Sequence, residues 1–261
     1  MGARAIEPFS LAAFSLLLLI PVAVFLFLRI PRIRAMAIAF IRMVVQLVLV
    51  GLYLETIFRL NRPLINLAWI LVMVAVACAA VTNQSGLRLK HFFSPLGAAC
   101  LLSLAVVFGA FFAVLEPGKV FSARYLIPLG GMILGNILRS NVICLDRYFH
   151  GLRKRPEEFI THLSLGATHW EARKPFMAES LKAAVSPQIA TVATMGLVSL
   201  PGMMTGQILG GNSPSVAIQY QILIMVAIFT TATLSAFLGM AFASRNAFDS
   251  FQRLRRGLFR I

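Results

Sequence analysis

Seven stretches of this chain are apolar over about twenty residues each, at 9–28, 36–57, 64–82, 92–114, 124–143, 188–209 and 217–243. A helix rises about 1.5 Å per residue, so roughly 20 residues cross the ~30 Å of bilayer hydrocarbon. No water reaches the backbone there, and a run of that length must close its N–H and C=O groups on itself as a helix. The expected fold is all-α: a polytopic bundle of about seven transmembrane spans, forming a single domain over residues 1–261. With 59% hydrophobic and 13% charged residues and a mean hydropathy of +0.85, a soluble domain is excluded.

Charge sets the orientation. Arg29, Arg32 and Arg34 follow the first run, Arg88 and Lys90 the third, Arg147 to Lys182 the fifth, and Arg245 to Arg260 the last. The opposite side holds only Arg4, Arg59, Arg62, Lys119 and Arg124. The positive-inside bias therefore places the N-terminus outside and the C-terminus in the cytoplasm. It also explains the net charge of +15 without invoking nucleic acid. The first run pairs Arg4 with Glu7 and lacks a small-residue cleavage site, so it reads as a retained span. Cys78, Cys100 and Cys144 sit in or beside apolar runs with no CxxC spacing, which suits core packing.

Residues 146–186 form the one long polar stretch, a basic cytoplasmic loop. Inside it Pro156, Glu157 and Glu158 signal a helix start: proline in the first turn, then acids favoured by the helix dipole. Phe159, Ile160 and Leu163 follow at helical spacing, and Gly166 ends the turn. Such a short amphipathic helix either docks into a partner's groove or rests on lipid headgroups.

Polar and small residues inside the spans are the other candidates. Arg42 and Gln46 lie one turn apart on the second run; Arg42 snorkels to the headgroups, while Gln46 bonds a neighbouring helix or lines a pathway. Glu55 is a surface carboxylate or meets a cation. In the fifth run Gly131 and Gly135 have the GxxxG spacing of a close helix contact. Asn136, Arg139 and Ser140 follow as a polar strip, a helix seam or the mouth of a pathway, with the seam favoured. In the sixth run Pro201 and Gly202 break the helix, and Gly202, Gly206 and Gly210 make a smooth stripe. Broken spans commonly line substrate paths, which makes Met203, Met204, Thr205 and Gln207 path candidates; flexible core filler is the competing account.

Several chemistries have no signature here. There is no GxxxxGK[ST] loop, since Gly118-Lys119 is followed by Val. His91, His150, His162 and His169 are dispersed with no ligand spacing, so no cofactor or metal is bound by motif. The chain reads as a non-enzyme. Intramembrane carboxylates are scarce, which counts against a proton-driven carrier.

The run GLVSLPGMMTGQILGGNSPSVAIQYQILIM, Gly196 to Met225, resembles the FetB-type family of ABC-transporter permeases. RMVVQL at Arg42–Leu47, GNILRSN at Gly135–Asn141 and LSLGATHWEA at Leu163–Ala172 support the likeness. That family includes bacterial permeases linked to iron export and plant permeases linked to aluminium tolerance. The resemblance implies a homodimeric permease in the bacterial inner membrane, driven by a separate cytoplasmic ATPase subunit that consumes ATP. It implies a coupling helix at Glu157–Thr168, with Glu157, Glu158, Phe159, Leu163, Leu165, Gly166 and Ala167 as contacts; LGA at Leu165–Ala167 is similar to the signature glycine of importer permeases. Export of a metal ion such as iron is the implied activity, and plant members have been tied to a sugar nucleotide. An autonomous ion-coupled carrier and a membrane scaffold are the rival readings.

Overall fold

The computed structural model describes residues 7–114, 122–249 and 254–259. Ten helices are used below: α1 (Pro8–Ser15), α2 (Leu19–Phe27), α3 (Ile33–Leu60), α4 (Pro63–Gln84), α5 (Leu89–Val114), α6 (Ala123–Lys154), α7 (Pro156–Ser164), α8 (His169–Thr194), α9 (Gly202–Leu209) and α10 (Pro214–Ala247). A single turn of tighter helix, Leu16–Leu18, joins α1 to α2. Among the described residues no strand forms. The fold is all-α, as the apolar runs require.

Among the described residues six helical stretches are long and apolar enough to cross a membrane: Phe9–Phe27 (α1, the tighter turn and α2 together), Ile33–Leu60, Pro63–Gln84, Leu89–Val114, Ala123–Lys154 and Pro214–Ala247. The run expected as a sixth span at 188–209 is not one helix. Its first third completes α8, which begins twenty residues earlier among charged side chains; the chain then turns over Met195–Pro201, and α9 follows. The turn has a local cause. Met195 is extended and ends α8, Gly196 takes φ +86°, a region open to glycine, and Pro201, extended at ψ 140°, caps the start of α9. Gly196 N donates to Ser199 O at 2.9 Å and closes the turn. The 146–186 stretch, read as a loop, is helical almost throughout, as the end of α6, all of α7 and the start of α8.

Helix α10 is the centre of the bundle, packed against α5, α6, α8 and α9. Its contacts fix directions. Cys100 Sγ lies 3.6 Å from Ser235 Oγ while Asn246 Nδ2 donates to His91 O at 3.0 Å, so α5 runs antiparallel to α10. Asn141 Nδ2 donates to Ser235 Oγ at 2.9 Å and Tyr148 Oη meets Ser244 Oγ at 2.7 Å, so α6 runs parallel to it. Gln188 Nε2 donates to Ser140 Oγ, and Phe176 packs against Gly151, so α8 is antiparallel to α6. The buried face of α10 is mostly small: Ala227, Thr231, Ser235, Ala236, Gly239 and Ala243. With lipid as apolar as leucine, such faces hold helices together by close approach and interhelical hydrogen bonds.

The two tightest glycine contacts lie at positions the GxxxG spacing did not pick out. A Cβ on Gly239 would stand 2.7 Å from Asn141 Oδ1, and one on Gly130 would stand 2.5 Å from Ile70 Cδ1. Gly131 faces Met73 at 3.1 Å, but Gly135, Gly202 and Gly206 have open space, and Gly210 meets only carbonyls of its own helix. Small-residue spacing marks a face without saying what lies opposite.

Helix α3 meets the bundle only near its C-terminal end, where Tyr53 stacks on Trp69 at 4.4 Å and Ile57 packs on Ala123 and Ile127. Asn61, left-handed at φ 39°, closes the helix, and its Oδ1 accepts from Ala123 N at 2.9 Å. The rest of α3, including Arg42 and Gln46, is exposed.

All three cysteines are reduced and buried. Native protein in detergent is therefore expected to resist a membrane-permeant maleimide over minutes, whereas denatured protein takes up three labels, counted by intact mass. Rapid labelling before denaturation would contradict the packing of α4, α5 and α6.

Candidate functional site

Two features stand out: an exposed tip at the basic end of the bundle, and a pair of cavities where α8 breaks.

The tip is α7 and the turn after it. Arg155 bonds Glu158 at 3.2 Å and also pairs with Glu179 of α8, bracing the start of α7. The helix that follows was expected to present Phe159, Ile160 and Leu163 on one face. Instead the face divides. Phe159, 6% exposed, is inside, 5.5 Å from the His169 ring and 5.4 Å from Phe248. Leu163 is half-buried against the core. Ile160 and Leu165, the latter 80% exposed, point away from the bundle, and Gly166 turns the chain at φ +89°. Glu157 is exposed as well, while Glu158 and Ala167 are half-buried.

Helix α8 then starts on a capping box: Thr168 Oγ1 accepts from Glu171 N at 3.3 Å, and Glu171 Oε2 accepts from Thr168 N at 2.7 Å. The Thr168 hydroxyl, donating to Glu171 Oε2 at 2.7 Å, and then the Thr168 N–H hold the Glu171 carboxyl below its ordinary range. The box sets His169 edge-on against Phe248, 4.4 Å between rings. One aromatic cluster thus joins α7, the start of α8 and the residue after α10.

His169 makes this cluster sensitive to acid. Burial first, then the charge of Arg173, holds its pKa below the ordinary 6.5. The unfolded tip binds the proton more readily, so the contribution is complete above about pH 6.5 and is lost as pH falls toward the depressed folded value. Hydrogen exchange over 157–169, corrected for its intrinsic rate, is expected to speed up between about pH 7.5 and about pH 5.5. His169→Gln should remove that extra acceleration; an unchanged pH response in the variant would discard the assignment.

The larger cavity, about 890 Å³, lies at the break, between the end of α8, the Met195–Pro201 turn, α9 and α10. Its walls are apolar apart from Gln221 and Thr230, with the thioethers of Met195, Met204 and Met225. Of the expected path residues only Met204 lines it. Met203 packs toward the core, Thr205 is exposed and donates to Pro201 O at 3.1 Å, and Gln207 is half-buried elsewhere. Gln46 stays on α3, outside the cavity. Sequence reasoning missed Gln221, Met195 and Met225; the signal was Gln221 and Met225 one turn apart on α10.

A smaller cavity of about 100 Å³ adjoins it, between Asn136, Arg139 and Ser140 of α6 and Gln188 and Thr191 of α8. The polar strip of α6 is thus both a seam, through the Gln188–Ser140 bond, and a cavity wall. Among the described residues no three His, Cys, Asp or Glu side chains come together as a metal site.

Fold and site define an integral membrane protein: a helical bundle with a broken helix walling an intramembrane cavity and a protruding basic tip. The comparison with known sequences agrees. Residues 8–248 match the uncharacterised protein family UPF0014, and the chain belongs to that family. It is 36% identical to the UPF0014 membrane protein slr1647 of Synechocystis over 82% of this chain and 83% of that one. It is 31% identical to the Probable iron export permease protein FetB of Escherichia coli, covering 82% and 81%. It is 32% identical to Protein ALUMINUM SENSITIVE 3 of Arabidopsis thaliana, covering 75% and 70%. No solved structure matches the chain.

Proposed function

We propose that this chain is the permease subunit of an ABC transporter, working as a homodimer in the bacterial inner membrane and exporting a metal ion such as iron. A separate cytoplasmic ATPase subunit supplies the energy. The observation that carries the reading is the mechanical path from the tip. Ile160, Leu165 and Gly166 are free to meet a partner, while Phe159, His169 and Phe248 tie them to α8 and α10. Those two helices wall the cavities. A push on the tip is therefore delivered to the helices around the intramembrane space, and a partner that distinguishes two tip positions shifts the balance between two states. The choice of iron rests on the name of the E. coli relative.

The test is reconstitution of the chain with its ATPase in liposomes, measuring ATP-dependent movement of iron. Movement that needs both proteins and ATP is the expected result. Ion-gradient-driven movement by the chain alone would replace this reading with the autonomous carrier.

A further inference from the structure

The two cavities differ in character and share walls. Val192, Met225 and Phe229 line both, so one ligand can occupy them together. The small one carries a full positive charge on Arg139, and no carboxylate lines it. Among the described residues no carboxylate pairs with Arg139, in a helix where an unpaired charge is costly. The large one is almost wholly apolar, at the upper end of the roughly 300–1,000 Å³ common for small-molecule sites.

Their order along the bundle is fixed by the α6–α10 contacts. Asn141 is level with Ser235, and Tyr148 with Ser244. Arg139 therefore lies nearer the basic end than Gln221, Met225 and Phe229, which line the large cavity. Gln221 is buried, only 7% exposed, and its Oε1 accepts no hydrogen bond from the protein. The mouth of the large cavity is apolar and faces outward: Ile189 and Val192 on α8 and Ile222 and Val226 on α10 are exposed. A charge nearer the basic end, an apolar slot running from it toward the start of α10 and a lateral opening match the polarity of an anionic amphiphile lying along the bundle.

We propose that the two cavities together bind one anionic amphiphile taken laterally from the surrounding lipid. Its phosphate or carboxylate sits against the Arg139 guanidinium, and its chain lies in the slot between α8 and α10. The planar, always-charged guanidinium suits an oxyanion through paired N–H donors. The assignment does not depend on the ATPase reading, and its test needs no ATPase.

The experiment is native mass spectrometry of the full chain released from nanodiscs of equimolar phosphatidylcholine and phosphatidylglycerol. One phosphatidylglycerol retained per chain is expected, with phosphatidylcholine lost under the same activation. Arg139→Gln should weaken retention at least tenfold, Arg139→Lys should keep much of it, and Arg42→Gln should leave it unchanged. Val192→Trp, which fills the shared wall, should also abolish it in protein that elutes as a folded species. Equal retention of both lipids, or none, would overturn the proposal. Displacement of the lipid by inorganic phosphate alone would also overturn it, by making the site one for a free anion.

Discussion

Replacing Gly239 by leucine is expected to prevent accumulation of folded protein. Even the first added carbon would lie 2.7 Å from Asn141 Oδ1 and 3.3 Å from Leu96 Cδ2. Neither neighbour has room to retreat. Asn141 is held through its Nδ2 to Ser235 Oγ and to Ile137 O, both at 2.9 Å, and Leu96 is fully buried. Overpacking a filled core costs about 1–3 kcal/mol, and breaking a buried hydrogen bond adds roughly 1–3 kcal/mol. Together that is a large share of the ~5–15 kcal/mol that stabilises a folded chain. Fluorescence-detected gel filtration with a thermal ramp would read the loss as a missing monodisperse peak, or a melting midpoint far below wild type. Gly135→Leu is the matched control, since a Cβ there has open space; a similar loss from both substitutions would mean the α5–α6–α10 packing is wrong.

That contrast shows what was legible in the sequence. Length and hydropathy determine that a membrane helix forms, because the backbone has no other way to bond in hydrocarbon. Five of the apolar runs accordingly match a single long helix each, from α3 through α6 and α10, to within a few residues except where α6 continues to Lys154. The break was also legible in part, since Pro201 disfavours an unbroken helix through that run. Its position was not. Helix α8 starts among charged residues, so hydropathy assigned its first two-thirds to a loop and its last turns to a span.

Facing was the least legible. In water, an apolar stripe tells which side of a helix is buried; in lipid both sides are apolar, and only small residues and hydrogen bonds mark the contact. Gly131 and Gly135 have the right spacing, yet Gly130, one residue earlier, carries the tight contact with Ile70. In α7, Phe159 and Ile160 are neighbours in sequence, 100° apart around the helix, which is enough to bury one and expose the other. The buried one was settled by His169 and Phe248, residues no local pattern ties to it.

The same division of α7 predicts that two substitutions will fail in different ways. Leu165→Asp places a charge on the most protruding side chain of the tip, 80% exposed and without internal contacts to lose. On the permease reading proposed above, it should leave the chain as stable as wild type while weakening capture of the proposed ATPase subunit at least thirtyfold, about 2 kcal/mol, the scale of a lost interface anchor. Phe159→Ala removes a buried ring at the junction of α7, α8 and the end of α10. A cavity of that kind costs up to about 3–5 kcal/mol in a rigid core, and less here because the tip can settle inward. Ile160 and Leu165 remain presented, so the ATPase should still bind within a few-fold of wild type. ATP turnover by the complex should continue, but solute movement should fall by more than tenfold, because the tip no longer carries its displacement to the helices around the cavities. Binding by fluorescence anisotropy and transport in proteoliposomes separate the two outcomes. If Phe159→Ala transports normally, the aromatic junction is packing alone, and force reaches the membrane by the covalent continuity of α6 or α8 instead.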